Sequence, residues 1–133
     1  MMKNNDLGLL IIRLSLGILM LLHGIAKITH GVDFLGGMFK DLGLPSFFAY
    51  TVYIGEVVAP LLIIAGYRTR LAALVFAFTM IVAVGMAHAS DIFKLSDTGG
   101  WSLELQGLYF FGGLALFFTG AGKYAASTNS KWD

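Results

Sequence analysis

The chain has 133 residues and a formal charge of +1, so four membrane spans of about 20 residues would use about 80 of them and leave enough for the connections. Hydrophobic residues make up 57% and charged residues 13%, against about 45–50% and about 25% in soluble domains; with a mean hydropathy of +0.78, an ordinary soluble globule is excluded. There is no cysteine, which removes disulfides, thiolate metal sites and cysteine nucleophiles, and no lysine or arginine run offers the basic footprint a nucleic acid needs.

The first apolar stretch covers 7–28. At 100° per residue Arg13, Gly17, Met20, Gly24 and Lys27 fall on one stripe of it, with His23 at the edge, and this stripe is predicted to face a helix bundle. Lys3 precedes the stretch as it would in a signal peptide, but the length and the interruptions at Arg13, His23 and Lys27 argue for a retained span. Phe34, Leu35, Met38, Phe39 and Leu42 then recur at helical spacing before Gly43 and Pro45. They predict a short amphipathic helix in the outer interface, lidding the bundle or resting on lipid.

The second span is predicted over 47–67 and the third over 71–89, joined by a tight 66–70 turn that makes them antiparallel neighbours. A fourth covers 101–119. Together these predict an all-α, integral membrane four-helix bundle over residues 1–124, followed by a flexible cytoplasmic tail over 125–133. Lys3, Arg68, Arg70, Lys123 and Lys131 lie on one side of this arrangement, and the positive-inside rule places that side, with both termini, in the cytoplasm. Asp33, Asp41, Asp91 and Asp97 then fall outside.

Arg13, His23, Lys27, Glu56, His88 and Glu104 are ionisable or polar residues within these spans, where a mid-bilayer charge costs about 2.5–3.5 kcal/mol. By depth, His23 lies about 7 Å and Glu56 about 13 Å below the outer surface, with Lys27, His88 and Glu104 nearer to it. All except Arg13 share the outer half on four helices, which predicts one polar cluster. Pro60 has no N–H for the Glu56 carbonyl, so acceptors concentrate there, and Tyr53 adds an aromatic wall on the same face. Plainer readings stand beside this one: Arg13 and Lys27 as snorkelling cations, His88 and Glu104 as interfacial groups. Glu56 is too deep for that and is expected to have a partner inside the bundle. No His, Asp or Glu spacing predicts a metal site, no covalent cofactor is expected, and two histidines alone argue little for haem.

Arg13-Leu14 with Gly17, then His23-Gly24-Ile25-Ala26-Lys27, then Glu56, then Gly66-Tyr67-Arg68-Thr69-Arg70-Leu71-Ala72-Ala73, resembles the DoxX family. Glu104 and Gly120-Ala121-Gly122 extend the likeness over nearly the whole chain. The resemblance implies a four-span protein of the bacterial inner membrane. It also implies links to quinone-coupled oxidation of sulfur compounds, or to complexes with soluble redox enzymes in oxidative-stress defence. The expectation is a membrane subunit of a quinone-linked redox system. Lys27 and Glu56 are its catalytic candidates, and His23, Tyr53, Glu104, His88 and Arg13 its ligand-binding ones. The alternatives are a non-catalytic anchor or assembly partner for a soluble redox enzyme and a small transporter working as a homo-oligomer.

Overall fold

Asn4 opens the first helix by accepting a hydrogen bond from Leu7 N–H at 2.9 Å, and α1 runs over Asn5–His30 until Gly31 leaves the helix at φ 83°. Asp6 in its first turn and Lys27 and His30 in its last complement the helix dipole. Arg13, Gly17, Met20 and Gly24 are its buried residues, the predicted stripe up to Lys27, which is half-buried. The short amphipathic helix follows as α2, Asp33–Asp41. The computed structural model describes residues 3–133.

The second apolar stretch differs from a regular α-helix. It winds as a 3₁₀ helix over Ser46–Thr51, widens into a π turn over Ile54–Val58, and continues as a regular α-helix in α3, Ala59–Ala65. Pro60 is the physical reason: in a regular helix its ring would press on the carbonyl four residues back, that of Glu56. In the wide turn the Ala59 N–H instead reaches Ile54 O. Gly66, in the left-handed conformation at φ 75°, ends α3 and begins the predicted tight turn. Antiparallel to it runs α4, Thr69–Ala87, and after a loop comes α5, Glu104–Thr119.

The core is built where these helices meet, from Met20 of α1, Ala59 and Ile63 of α3, Ala72, Ala73, Phe76 and Met80 of α4, and Tyr109 and Leu116 of α5. Gly113 lets α4 and α5 close up: a Cβ there would stand 3.0 Å from the Phe76 ring and 3.3 Å from the Ala73 carbonyl. Large apolar side chains such as Ile18, Leu22, Phe78, Ile81, Leu108 and Phe111 point outward. Three helices, Asn5–His30, Ser46–Ala65 and Thr69–Ala87, are long and apolar enough to cross a membrane. The last, expected from residue 101, is helical only from Glu104, so its 16 residues span about 24 Å.

The segment expected to fray is instead held against the turn after α3. Ala126 N–H donates to Ala65 O, Ser127 N–H to Gly66 O, and Arg70 N–H to Trp132 O. Arg68, among the described residues the one non-glycine at positive φ (48°), has its N–H and guanidinium both on the Asp133 carboxylate at 3.0 Å. The Ser127 hydroxyl, the Ser130 N–H and Arg68 hold that carboxyl well below the usual carboxylate range. Polarity of the segment suggested solvation; its hydrogen-bonding groups find backbone partners freed by helix ends, which composition does not reveal.

Candidate functional site

Glycine sets the positions of the two helices that carry the site. Gly24 packs directly on the Glu56 carbonyl, where any Cβ would overlap it, and Gly17 does the same against Ile64 and the Pro60 carbonyl. On the other side Gly55 lies against Thr79 of α4 with no room for a side chain. The π turn is therefore gripped between α1 and α4, and the extra residue in it turns Glu56 inward, 6% exposed.

One helical turn after Gly24, Lys27 places its ammonium 2.7 Å from Glu56 Oε1. Its side chain is 24% exposed against 8% for the carboxylate. Tyr53, one turn before Glu56, donates its hydroxyl to the Lys27 carbonyl at 3.1 Å, tying the end of α1 to the second stretch. A buried pair of this kind satisfies each charge with the other, while the two further ammonium protons of Lys27 leave donor capacity.

The pair borders a cavity of about 400 Å³. Thr51, Val52, Ile54 and Gly55 form one wall, and Val75, Phe78, Thr79, Val82, Ala83 and Met86 of α4 form the other. Phe34, Leu35 and Phe39 of α2 cover it, and His88 stands at the end of α4. His88 Nδ1 in turn lies 3.6 Å from Asp91 Oδ2. The result is a mainly apolar chamber with an ion pair on one side and an imidazole on another, a lining suited to a small, largely apolar molecule with polar atoms to orient.

The predicted cluster is thus smaller than expected. Lys27, Glu56 and Tyr53 come together and His88 lines the same cavity without bonding to them, whereas His23 and Glu104 neither line it nor make a hydrogen bond or ion pair with them. His23 is exposed and sets its ring edge-on to Tyr109 at 6.3 Å; Glu104 is exposed in the first turn of α5 with its carboxylate against Gly100. Rotation about the helix axis turns both away from the ion pair. Arg13 belongs to the opposite end. Its guanidinium donates to the carbonyls of Ile63, Ala121, Tyr124 and Ile64 at 2.6–3.2 Å, capping the ends of α3 and α5, and it is 1% exposed. It neither snorkels nor faces the cavity. Thr79, Phe78 and Met86 are lining residues that no motif announced; their signal was only their place on the side of α4 facing Gly55. Among the described residues no three His, Asp or Glu side chains converge as metal ligands would.

Comparison with known proteins bears on the same segment. A Bacillus subtilis (strain 168) protein named "Putative oxidoreductase CatD" is 34% identical over 84 residues, 63% of this chain and 62% of that protein. The match therefore spans about three-fifths of the relative's length. No solved structure matches. The DoxX family model matches residues 8–89, a segment that contains Lys27, Tyr53, Glu56, His88 and the whole cavity lining. With well over half of its 133 residues matched, the chain belongs to the DoxX family.

Proposed function

We propose that this membrane protein is the membrane subunit of a quinone-linked redox system, with the chamber beside Lys27 and Glu56 as its ligand site. The single observation that carries the reading is the join between an apolar chamber of about 400 Å³ and a hydrogen-bonded ammonium–carboxylate pair. A quinone ring needs apolar walls and, at its carbonyl, a donor; Lys27 Nζ has donors to spare. Glu56 is placed to accept a proton from a bound hydroxyl while Lys27 balances its charge. The exposed Ile54 and Phe78 at the edge of the lining give an apolar tail a way out into lipid. The relative's name points to the same class of chemistry.

The same reading makes the fold a four-crossing bundle, with α5 as the fourth crossing, α2 in the interface over the chamber, and both termini and the 66–70 turn on the cytoplasmic side of the bacterial inner membrane. Residues 1–124 form the domain. The charge distribution and the packing of α5 along α4 support it.

A second reading, a non-catalytic anchor for a soluble redox enzyme, draws on the way Lys27 and Glu56 already satisfy each other, as a pair that only fixes helix register would. Lipid extracts of the detergent-purified protein separate the two. Co-purified quinone that falls at least about tenfold in Glu56→Gln and Lys27→Met, both still folded, fits the first. Quinone absent from the wild type, or retained equally by both variants, rules it out.

A further inference from the structure

Between α4 and α5, outside the segment that the family model matches, lies a hairpin two of whose apolar side chains, Phe93 and Leu95, are largely uncovered by the protein. Phe93 is 98% exposed and Leu95 72%, while Ile92 and Trp101 are mostly covered, at 39% and 38%. Such exposure is unusual for a loop that also carries Asp91, Lys94 and Asp97, and the backbone gives a reason. Part of the hairpin's backbone is paired within it: Leu95 faces Trp101 in an antiparallel bridge closed by Ser96 N–H to Gly100 O and Ser102 N–H to Lys94 O, and the Trp101 indole N–H donates to Ile92 O at 2.6 Å. A loop partly closed on itself can set its apolar side chains into the boundary between headgroups and acyl chains while its remaining main-chain groups stay within reach of interfacial water.

Its position along the bundle says what fills that place. Antiparallel packing sets Gly113 against Ala73 and Ala77, so the first turn of α5 lies level with the last turn of α4. At about 24 Å, α5 falls about 6 Å short of a hydrocarbon core of about 30 Å. Trp101 lies down on α5 itself, its ring against Gly107, where a Cβ would be 2.7 Å from Cζ3. Exposed Leu105 and Leu108 continue the apolar surface along the helix.

We propose that the hairpin 92–101 is a lipid contact: Phe93, Leu95 and Trp101 sit among the acyl chains of the adjacent leaflet and complete the crossing that α5 is too short to make. Lys94, 63% exposed and 4.0 Å from Asp91, stays within reach of the headgroups, and Asp97 at the tip stays in water. Since His88 lines the chamber only four residues before Ile92, the hairpin also holds that end of the chamber at the level of the acyl chains. The inference rests on α5 crossing the membrane, and the test separates the two.

The absence of cysteine allows single spin labels to be placed by Phe93→Cys, Asp97→Cys and Phe111→Cys in the full chain. In phosphatidylcholine–phosphatidylglycerol vesicles each label is read for collision with oxygen, which concentrates among acyl chains, and with a water-soluble nickel chelate. Oxygen access above nickel access at 93 and 111, with the reverse at 97, is the expected pattern. A label at 93 that follows the one at 97, or that is shielded from both reagents as by protein, overturns the hairpin contact. A nickel-accessible label at 111 overturns the fourth crossing instead.

Discussion

Helix α1 carries two cations fourteen residues apart, and the structure treats them in opposite ways. Arg13 is 1% exposed and gives its guanidinium to four backbone carbonyls, while Lys27 meets one carboxylate at 2.7 Å, keeps 24% of its side chain exposed and borders a chamber. A planar fork suits several fixed acceptors at once, whereas an ammonium is a compact charge with rotatable donors. The difference separates a lock from a site: one cation is consumed in joining helix ends, the other retains capacity for something that comes and goes.

Breaking the lock has the largest expected effect. Arg13→Leu leaves four carbonyls at the ends of α3 and α5 without donors, and a loss of about 3–5 kcal/mol is expected, read as a drop in the melting temperature in detergent. Arg13→Lys recovers only a part of it, because an ammonium cannot reach both helix ends. Melting of the leucine variant at the wild-type temperature would contradict the role assigned to Arg13.

At the other end, Glu56→Leu strands a cation that can still turn toward water, so a smaller loss of about 1–3 kcal/mol is expected. Lys27→Met combined with Glu56→Leu removes both charges and recovers most of that loss, a coupling that a double-mutant cycle measures. Losses that simply add would mean the two side chains do not interact. Gly24→Ala tests the grip on the π turn: the new methyl collides with the Glu56 carbonyl, and about 1–3 kcal/mol of overpacking is expected, along with loss of co-purified quinone. Unchanged melting and ligand content would show that α1 need not touch Glu56.

The smallest effect concerns the docked tail. The Asp133 carboxyl is held below the usual carboxylate range by Ser127, Ser130 and Arg68, so its folded form binds a proton less readily than the unfolded chain, whose value is about 3.9. Its contribution is complete above that value and is lost only as the pH falls through the lowered one. Hydrogen exchange over 126–133 is therefore expected to show pH-independent protection between about 5 and 8, after correction for the intrinsic rate, and Asp133→Asn is expected to reduce it. Equal protection in the variant would assign the docking to the backbone bonds alone.

Much of the site could be read along the chain because periodicity and depth are local properties. The stripe Arg13, Gly17, Met20, Gly24 followed from 3.6 residues per turn, and the meeting of Lys27 with Glu56 followed from two opposite charges at matching depth in adjacent apolar stretches. The same reasoning gathered His23 and Glu104 into the cluster, because depth does not fix rotation about a helix axis, and Arg13 stood among the ligand candidates as a charge inside a span although depth set it apart. Nor could it foresee that α2 covers the chamber with Phe34, Leu35 and Phe39, or that Arg68 and Asp133 pair across 65 residues.

Composition and hydropathy, summed over each stretch, decide that these helices prefer lipid and roughly where each begins, since transfer free energy depends on residue type more than on neighbours. Which polar group faces which is decided only when the helices pack. Close approach at Gly24 and Gly55, the wide turn before Pro60 and the carbonyls left free at helix ends exist only in the assembled molecule. Through them, Lys27 and Glu56 come to share one wall of a chamber and Arg13 comes to be sealed away from it.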